Sequence, residues 1–286
     1  MLVGLNLPNY GPLGTRDAVT AIAERAEALG YASLWTSDHV LLPTSEPEPF
    51  GNLLESLTTL TWIAAHTRTI RLATGILVLP QRDPLLVAKQ AATLHHLSRG
   101  RLTLGVAAGW IEREYAFLRA DFHHRGQLED EYIGALRALF EHDHPAFHGA
   151  HIEFDDALFS PRPASPLRIV VGGDGPAALR RAAALGDGWH GLWRTPDQVR
   201  HARDALATAT RRPFTISVRT LAHAGDTLTG PQAATALHGS DTDITTRAAE
   251  FAAAGVDELV IEPQTDSLGG FLDQITRLAT LITPVK

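Results

Sequence analysis

Apolar and polar positions alternate along the chain in two different rhythms. Short runs rich in apolar and β-branched residues predict buried strands, whereas longer runs with apolar residues three and four positions apart predict amphipathic helices. Arg16–Leu29 is typical of the helices, because Ile22 and its apolar neighbours fall on one face and Gly30 follows the last turn. Pro84–Leu97 is a second example, for which Asp83 is the predicted N-cap.

Eight predicted strands are each followed by a predicted helix. The strands are Leu2–Leu7, Ala32–Trp35, Ile70–Ile76, Arg101–Val106, Arg168–Val171, Gly188–Gly191, Phe214–Leu221 and Glu258–Ile261. The helices are Arg16–Leu29, Leu53–His66, Pro84–Leu97, Gly126–Phe140, Pro176–Leu185, Pro196–Ala209, Thr245–Ala254 and Leu268–Ile282. Strands that alternate with helices indicate a parallel sheet, and eight such units in 286 residues predict an α/β fold, a (β/α)8 TIM barrel formed by residues 1–286 as a single domain.

Two stretches interrupt the alternation. Ile111–Pro166 is an insertion after the fourth strand, with one helix and a predicted hairpin near Phe147–Phe154. Ala222–Asp243, after the seventh strand, is a long loop rich in glycine, threonine and aspartate without a clear core pattern. Such a loop is either a mobile lid or an ordinary surface excursion, and the pattern leaves both open.

The composition excludes several classes of function. The chain has no cysteine, and therefore no disulfide, thiolate nucleophile or iron–sulfur cluster. A net charge of -7 gives no electrostatic basis for binding nucleic acid. No apolar run approaches the roughly 18–20 residues that a membrane span needs, and Met1 leads into the first strand without features of a signal peptide. We therefore expect a cytoplasmic protein without a membrane or nucleic-acid partner.

Candidate functional residues follow the predicted strands, because active sites of these barrels lie at the C-terminal ends of the strands. Asp38 and His39 come directly after the second strand, where an imidazole can exchange protons near neutral pH. A structural hydrogen-bonding role is the alternative for His39. The other candidates are Tyr10 after the first strand, Thr74, Gly75, Ile76 and Val78 at the third, Gly109 and Trp110 after the fourth, and Val171, Gly172, Gly173 and Asp174 after the fifth.

Two glycine-rich turns indicate a ligand that carries a phosphate. Gly172–Gly175 lies between a strand and a helix, where backbone N–H groups can approach an anion. Gly105–Gly109 offers a second turn of this kind, although glycines are also ordinary punctuation between strands and helices. No metal site is predicted, since the histidines within residues 142–151 lack a ligand spacing on one helix face.

Taken together, these motifs are similar to those of the bacterial-luciferase-like superfamily of flavin and deazaflavin oxidoreductases. The stretches that carry the resemblance are Trp35–His39, Thr74–Ile76, Pro80–Pro84, Ala88–Leu94, Leu97–Val106, Gly109–Trp110, Gly126–Tyr132, Val171–Gly173 and Gly186–Trp189. As a set they are specific, and they cover nearly the whole chain except the part beyond Thr220, which is the least diagnostic.

The resemblance implies a barrel that holds a flavin-like cofactor at the C-terminal ends of the strands. Many members have a non-prolyl cis peptide bond in the third strand, which falls here on Gly75–Ile76 and would support the cofactor ring. The family's histidine after the second strand falls on His39, near the reacting centre. The resemblance thus implies cofactor contacts from Asp38, Thr74, Gly75, Ile76, Val78, Gly109, Trp110, Val171, Gly172, Gly173 and Asp174, catalytic roles for His39 and Asp38, and substrate contacts from Tyr10 and Trp110.

The choice of cofactor depends on three further features. The chain is compact, its motifs resemble those of the short deazaflavin members, and only Lys89 and Lys286 among its 25 basic residues are lysines. Such an arginine bias favours a high-GC actinobacterial source, in which the deazaflavin coenzyme F420 is common. The resemblance thus favours F420-dependent hydride transfer to or from a small organic substrate. The alternatives are an FMN-dependent monooxygenase that uses reduced flavin and oxygen, and a non-catalytic flavin-binding protein.

Trp110 marks a departure from the sugar-phosphate dehydrogenases of this family. Those enzymes carry an acidic residue directly after the glycine that ends the fourth strand, where this chain has Trp110 after Gly109. Glu112 and Glu114 follow out of register, so a glucose-6-phosphate dehydrogenase is not expected, and the partner of His39 in proton transfer stays open. Family members often dimerise through barrel helices, so the resemblance is also compatible with a homodimer.

Overall fold

Parallel strands close into a barrel in the structure, a computed structural model that describes residues 1–46, 50–208, 213–225 and 228–282. The strands are β1 Leu2–Leu7, β2 Ser33–Thr36, β3 Arg71–Thr74, β4 Leu77–Val78, β5 Leu102–Ala107, β6 Phe147–His148, β7 Glu153–Phe154, β8 Arg168–Gly172, β9 Gly188–Leu192, β10 Thr215–Ala224, β11 Leu237–Gly239 and β12 Glu258–Pro263. The α-helices are α1 Arg16–Ala28, α2 Ser56–His66, α3 Pro84–Leu97, α4 Glu112–Leu118, α5 Arg125–Glu141, α6 Pro176–Leu185, α7 Pro196–Ala207, α8 Asp241–Ala253 and α9 Leu268–Ile282. Short 3₁₀ turns span Gly11–Leu13, Leu79–Gln81 and Ala233–Thr235.

Eight of the strands form the barrel, in the order β1, β2, β3, β5, β8, β9, β10 and β12, and β12 pairs with β1 to close it. Every pairing around this ring is parallel. This closed ring with helices outside confirms the predicted (β/α)8 barrel. The assignment of the whole chain to one domain stays a prediction. None of the helices in the described part of the chain is long and apolar enough to cross a bilayer.

The barrel has a packed interior and an apolar outer layer. Trp35 on β2 and His190 on β9 belong to strands that are not neighbours, yet their rings stack at 4.5 Å, so both lie inside the barrel. Leu5 and Leu7 on β1 are fully buried in the main apolar core with the helices. Burying one such side chain contributes about 1.5–3 kcal/mol. The helix α3 begins as predicted, since the Asp83 side chain accepts hydrogen bonds from the first backbone amides.

The third strand differs from its prediction, because the ladder breaks within it. β3 ends at Thr74, and the chain returns to the sheet only at Leu77, where β4 pairs with β5. A non-prolyl cis peptide bond joins Gly75 and Ile76 in between, at the position that the family resemblance implies. The mostly apolar stretch from residue 70 to residue 79 conceals this break, since hydrophobicity reports burial and not the hydrogen-bond ladder.

The insertion after the fourth strand contains one helix more than predicted. α4 occupies Glu112–Leu118, before the predicted helix that appears as α5. Only seven residues long, α4 has too few apolar positions for a clear helical period. The hairpin is confirmed, with Phe147 opposite Phe154 in an antiparallel pair.

The stretch Ala222–Asp243 packs against the barrel more closely than its composition indicates. β10 runs on to Ala224, and β11 pairs with this extension in parallel. Leu237 in β11 is fully buried, so this stretch supplies a core residue although its sequence has no clear core pattern. Residues 226 and 227 of this loop, and Ala209 at the predicted end of α7, lie outside the described residues.

Candidate functional site

The C-terminal ends of the barrel strands bring the candidate residues to one end of the molecule. Thr36 pairs with Thr74 across β2 and β3, so the segment that carries His39 leaves the barrel beside the Gly75–Ile76 break. The Gly75 amide donates to the Thr36 carbonyl at 2.7 Å, which holds the two strand ends together. A site at this end is the usual arrangement in such barrels.

His39 is held by a carboxylate that sequence reasoning did not assign to it. Its Nδ1 lies 3.0 Å from Oε2 of Glu114, the third residue of α4. The imidazole is 12% exposed and the carboxylate 1% exposed. The other oxygen, Oε1, accepts from the Val40 amide at 2.7 Å. Among the described residues no group hydrogen-bonds to Nε2 of His39, which therefore remains for a ligand.

The charge state of Glu114 determines what His39 can do. Burial alone would raise the pKa of Glu114, but hydrogen bonds from His39, Val40 and Gln81 outweigh it and hold the pKa below its ordinary value. An ionised carboxylate only accepts hydrogen bonds, so Nδ1 of His39 must carry the proton. In the neutral ring, Nε2 then keeps a lone pair and can accept a proton from a substrate.

Asp38 has a different environment from its neighbour His39. Its carboxylate is fully buried, accepting from Arg82 Nη2 at 2.7 Å and from the Val78 amide at 2.9 Å. Burial raises the pKa of Asp38, and the Arg82 guanidinium and the Val78 amide offset part of that rise. Both oxygens are engaged within the protein, so the contacts of Asp38 join the end of β2 to β4; its catalytic role stays a prediction.

Glycines at this end allow a close packing of neighbouring side chains that a side chain of their own would prevent. A Cβ on Gly75 would lie 2.9 Å from the Trp35 ring, and one on Gly172 would lie 2.8 Å from Cδ1 of Ile76. A Cβ on Gly109 would lie 2.6 Å from Val78, and its φ of +69° also favours glycine. The Thr74 hydroxyl is buried and donates to the Gly105 carbonyl at 2.7 Å, which fastens β3 to β5.

The fifth-strand turn has the open backbone that an anion needs, but Asp174 is already paired. Gly173 has a φ of +111°, and Trp189 Nε1 donates to its carbonyl at 2.7 Å. Asp174 forms an ion pair with Arg194 at 2.6 Å. Val171 is fully buried, so its side chain packs in the core.

Trp110, in contrast to these buried residues, is largely exposed to solvent. It is 66% exposed, at the C-terminal end of β5 just before α4. Its indole thus has a large free surface on which a flat ring can stack, and its substrate and cofactor contacts stay predictions.

Tyr10 belongs to a buried polar cluster with two charged residues that the sequence did not single out. Its hydroxyl donates to Glu262 Oε1 at 2.5 Å and accepts from Arg219 Nη2 at 2.9 Å and Asn6 Nδ2 at 3.2 Å. With one donor and two lone pairs in use, the Tyr10 hydroxyl has no capacity left for a substrate, and only its ring can make that contact. Burial raises the pKa of Tyr10, so the phenol stays protonated.

Arg219 links four strands at this end of the barrel. Its Nε donates to Glu262 Oε2 at 2.9 Å, and its Nη1 donates to Ser37 Oγ at 2.9 Å and lies 3.5 Å from the Gly75 carbonyl oxygen. Burial would raise the pKa of Glu262, but the Arg219 charge together with hydrogen bonds from Arg219, Tyr10 and Trp193 outweighs it, and the pKa is lowered. The Arg219–Glu262 ion pair therefore contacts the Gly75–Ile76 peptide bond through the Gly75 carbonyl oxygen.

Sequence reasoning missed Glu114, Arg219 and Glu262 for identifiable reasons. Glu114 lies in a short helix that has no predicted period, and its distance along the chain from His39 hides the pairing. Arg219 and Glu262 did leave a signal. Arg219 is a charged residue inside a predicted buried strand and needs a partner of opposite charge, and Glu262 directly follows the last predicted strand, where functional residues are expected.

Two buried acceptors at this end have no partner among the described residues, Asn6 Oδ1 and Gln81 Oε1. The Asn6 side chain forms a hydrogen bond with Tyr10, and the Gln81 side chain forms one with Glu114. A cavity of about 120 Å³ is lined in part by Asn6, Tyr10 and Glu262. Buried acceptors normally have donors, so these two atoms fit a ligand that carries N–H or O–H groups, as flavins and deazaflavins do.

The sequence is similar to those of several known proteins. The sequence matches the family described as luciferase-like monooxygenase over residues 5–238. It is 34% identical over 191 residues to an uncharacterized protein of Mycobacterium tuberculosis, covering 62% of this chain and 66% of that one. It is 32% identical over 180 residues to the F420-dependent glucose-6-phosphate dehydrogenase of Amycolatopsis mediterranei, covering 62% of this chain and 53% of that enzyme. These matches thus span less than two thirds of the relatives' own length.

Solved structures share the fold at low sequence identity. The monooxygenase RslO1 from Streptomyces bottropensis superposes with a TM-score of 0.83 at 20% identity, over 99% of this chain and 98% of that one. An F420-dependent secondary alcohol dehydrogenase superposes with a TM-score of 0.83 at 16% identity, over 99% of both chains. The family match, which covers most of the chain, establishes that this protein belongs to the luciferase-like monooxygenase family, whose members are oxidoreductases or monooxygenases.

Proposed function

We propose that this protein is an oxidoreductase that uses coenzyme F420 to transfer a hydride to or from a small organic substrate. The observation that carries the proposal is the His39–Glu114 pair, which leaves Nε2 of His39 unpaired at the C-terminal end of the barrel. A positioned histidine of this kind takes up or supplies the proton that accompanies hydride transfer.

The residues of the chain divide into those that hold the cofactor and those that act on the substrate. When bound, the deazaflavin supplies the carbon that accepts or donates the hydride. Gly75–Ile76 forms the floor for its ring, with Arg219 fixing the Gly75 carbonyl from below. The turns at Gly109 and at Gly172–Gly173, of which Gly173 is exposed, would offer backbone N–H groups to its phosphate-bearing chain. His39 holds the substrate oxygen and exchanges its proton at Nε2.

The proposal of F420 is supported by the family resemblance of the short chain and by the relative from Amycolatopsis mediterranei that is named as F420-dependent. A sugar-phosphate substrate is not supported, since Trp110 stands where the dehydrogenases of that kind have an acid. FMN is the second candidate, favoured by the match to a protein named pyrimidine monooxygenase RutA from Stutzerimonas stutzeri, 29% identical over 193 residues.

Fluorescence titration with F420 and with FMN tests the choice of cofactor. We expect F420 to bind at least about tenfold more tightly, which corresponds to 1.4 kcal/mol. Tight FMN binding without F420 binding would contradict the proposal in favour of the monooxygenase. Retention of either cofactor without hydride transfer or oxygen consumption would instead indicate a non-catalytic binding protein.

His39→Ala tests the catalytic part separately. We expect kcat to fall about 10²–10⁴-fold, the usual contribution of general acid–base catalysis, with the F420 dissociation constant changed less than about threefold. His123→Ala is the matched control, since the His123 side chain is exposed and lies against Phe122 and the exposed Glu112, away from His39 and Glu114. Full activity in His39→Ala would exclude this role.

A further inference from the structure

The carboxylate of Glu114, next to His39, is buried and charged, and both of its oxygens form hydrogen bonds. A residue that only filled space in the core would need neither the charge nor these hydrogen bonds. We propose that Glu114 is the positioning residue for His39: it fixes the imidazole in the Nδ1–H tautomer and aims Nε2 at the substrate oxygen. This inference rests on the proposed function, in which Nε2 exchanges the substrate proton. It assigns a role to a residue of α4 that is out of register with the acid of the related sugar-phosphate dehydrogenases.

Glu114 holds the imidazole and the backbone that follows it as one unit. Oε2 lies 3.0 Å from Nδ1 of His39, and Oε1 accepts from the amides of Val40 at 2.7 Å and Leu41 at 3.3 Å. Since α4 carries Glu114, the helix fixes the direction in which the ring points. The Phe50 ring packs against the imidazole at 5.2 Å and limits its rotation from another side.

The two oxygens of Glu114 have distinct roles, and this makes the tautomer predictable in a variant. In Glu114→Gln, the Val40 amide requires an acceptor at the Oε1 position, so the carboxamide oxygen takes that place. The carboxamide NH₂ then faces Nδ1 of His39 and donates to it. The imidazole proton must move to Nε2, which loses the lone pair that accepts the substrate proton.

The tautomer affects the reaction as follows when the substrate is an alcohol. The C–H bond of the carbinol carbon breaks and its electron pair leaves as hydride to oxidised F420, while the O–H bond breaks and its proton passes to Nε2. The alcohol loses two electrons and becomes a carbonyl compound, and His39 becomes an imidazolium ion that Glu114 stabilises. In reverse, the imidazolium Nε2–H returns the proton to the carbonyl oxygen. Both directions need Nδ1 to be protonated.

Nitrogen-15 NMR of protein labelled at histidine tests the tautomer without any turnover. His39→Gln identifies the His39 signals by their loss. We expect neutral His39 to carry its proton on Nδ1 in the native protein and on Nε2 in Glu114→Gln. Glu112→Gln, an exposed carboxylate two residues earlier on the same helix, is the matched control and should leave the signals unchanged. An Nε2–H tautomer in the native protein would overturn the inference, whatever the cofactor.

Steady-state kinetics with F420 test the consequence. We expect Glu114→Gln to lower kcat about 10–100-fold, the usual effect of removing a carboxylate that orients a histidine, with KM and the F420 dissociation constant changed less than about threefold. Glu114→Asp, which keeps the charge, should recover part of kcat. If the tautomer shifts as expected but kcat in Glu114→Gln equals that of the native enzyme, Glu114 does not position a catalytic group. If the tautomer shifts in Glu114→Gln but neither the native protein nor any variant transfers hydride, the proposed function fails. The assignment of Glu114 as the residue that fixes the His39 tautomer then still stands.

Discussion

The two ends of the barrel interior both bury a glutamate–arginine pair, but the pairs have different surroundings. At the N-terminal end, Arg71 lies 2.7 Å from Glu258, and these side chains are 36% and 11% exposed. At the C-terminal end, Arg219 and Glu262 are 7% and 12% exposed, and Tyr10 bonds to both. Near the C-terminal pair, the orphaned acceptor Asn6 Oδ1 belongs to the side chain that donates to Tyr10, and His39 lies at the same end with Nε2 unpaired among the described residues. The comparison teaches that similar charge pairs can have different surroundings: one pair is partly exposed, and the other is buried within the proposed binding site.

Breaking each pair in turn should produce the largest difference between the two ends. Arg219→Met leaves Glu262 buried and unpaired, so we expect the free energy of unfolding to fall by about 3–5 kcal/mol. Arg71→Met breaks a partly exposed pair and should cost about 1 kcal/mol or less. Urea denaturation measures both. The double variant Arg219→Met/Glu262→Gln should recover most of the loss, and equal losses at the two ends would contradict the comparison.

Glycine-to-alanine substitutions at the two ends of the barrel test the same comparison, with smaller expected losses of stability. A Cβ on Gly4 would lie 2.5 Å from Ser33 Oγ near the N-terminal end, and one on Gly172 would lie 2.8 Å from Ile76 near the C-terminal end. We expect each substitution by alanine to cost about 1–3 kcal/mol, since both overpack the interior. Only Gly172→Ala should also weaken F420 binding, as measured by fluorescence. Gly175→Ala has open space around its Cβ and should change neither quantity.

His190 lies between the two ends and should make the stability of the protein depend on pH. Burial lowers the pKa of His190 to about 3. The folded state therefore keeps this ring neutral, while the unfolded chain binds a proton below its ordinary pKa of about 6.5. Folding stability should thus fall by about 1.4 kcal/mol from pH 7.5 to pH 5.5 because of this residue. Urea denaturation of His190→Gln should lack that part of the decrease, and an identical decrease would show that the ring is accessible to protons.

Glu114 should make a smaller contribution to the pH dependence of folding stability, at lower pH. Its cause is a carboxylate that the fold keeps charged, whereas the fold keeps His190 neutral. Its lowered pKa in the folded protein means that its contribution to stability is present above the unfolded pKa and is lost as pH falls through the folded pKa. We therefore expect the native protein and Glu114→Gln to converge in unfolding free energy as the pH is lowered below about 4.5, the ordinary pKa of the group. Glu112→Gln, on the same helix, should leave the acidic part of the curve of unfolding free energy against pH unchanged.

The barrel itself was predictable because its units repeat a simple pattern. Each parallel strand is a short apolar run, and each helix has one apolar face, so the alternation identifies the fold without distant contacts. His39 was predictable for the same reason, since it follows a strand end directly. The break at Gly75–Ile76 could be placed only through the family resemblance, because the apolar run continues across it.

The sequence by itself determined the order of strands and helices, the glycine turns and the position of His39 at a strand end. Only the tertiary structure decided that His39 meets Glu114, that Arg219 lies under the Gly75 carbonyl, and that Tyr10 has no free hydroxyl capacity. The physical reason is that burial and turns leave local patterns, whereas an ion pair or a tautomer depends on the distance between atoms from strands far apart in the chain.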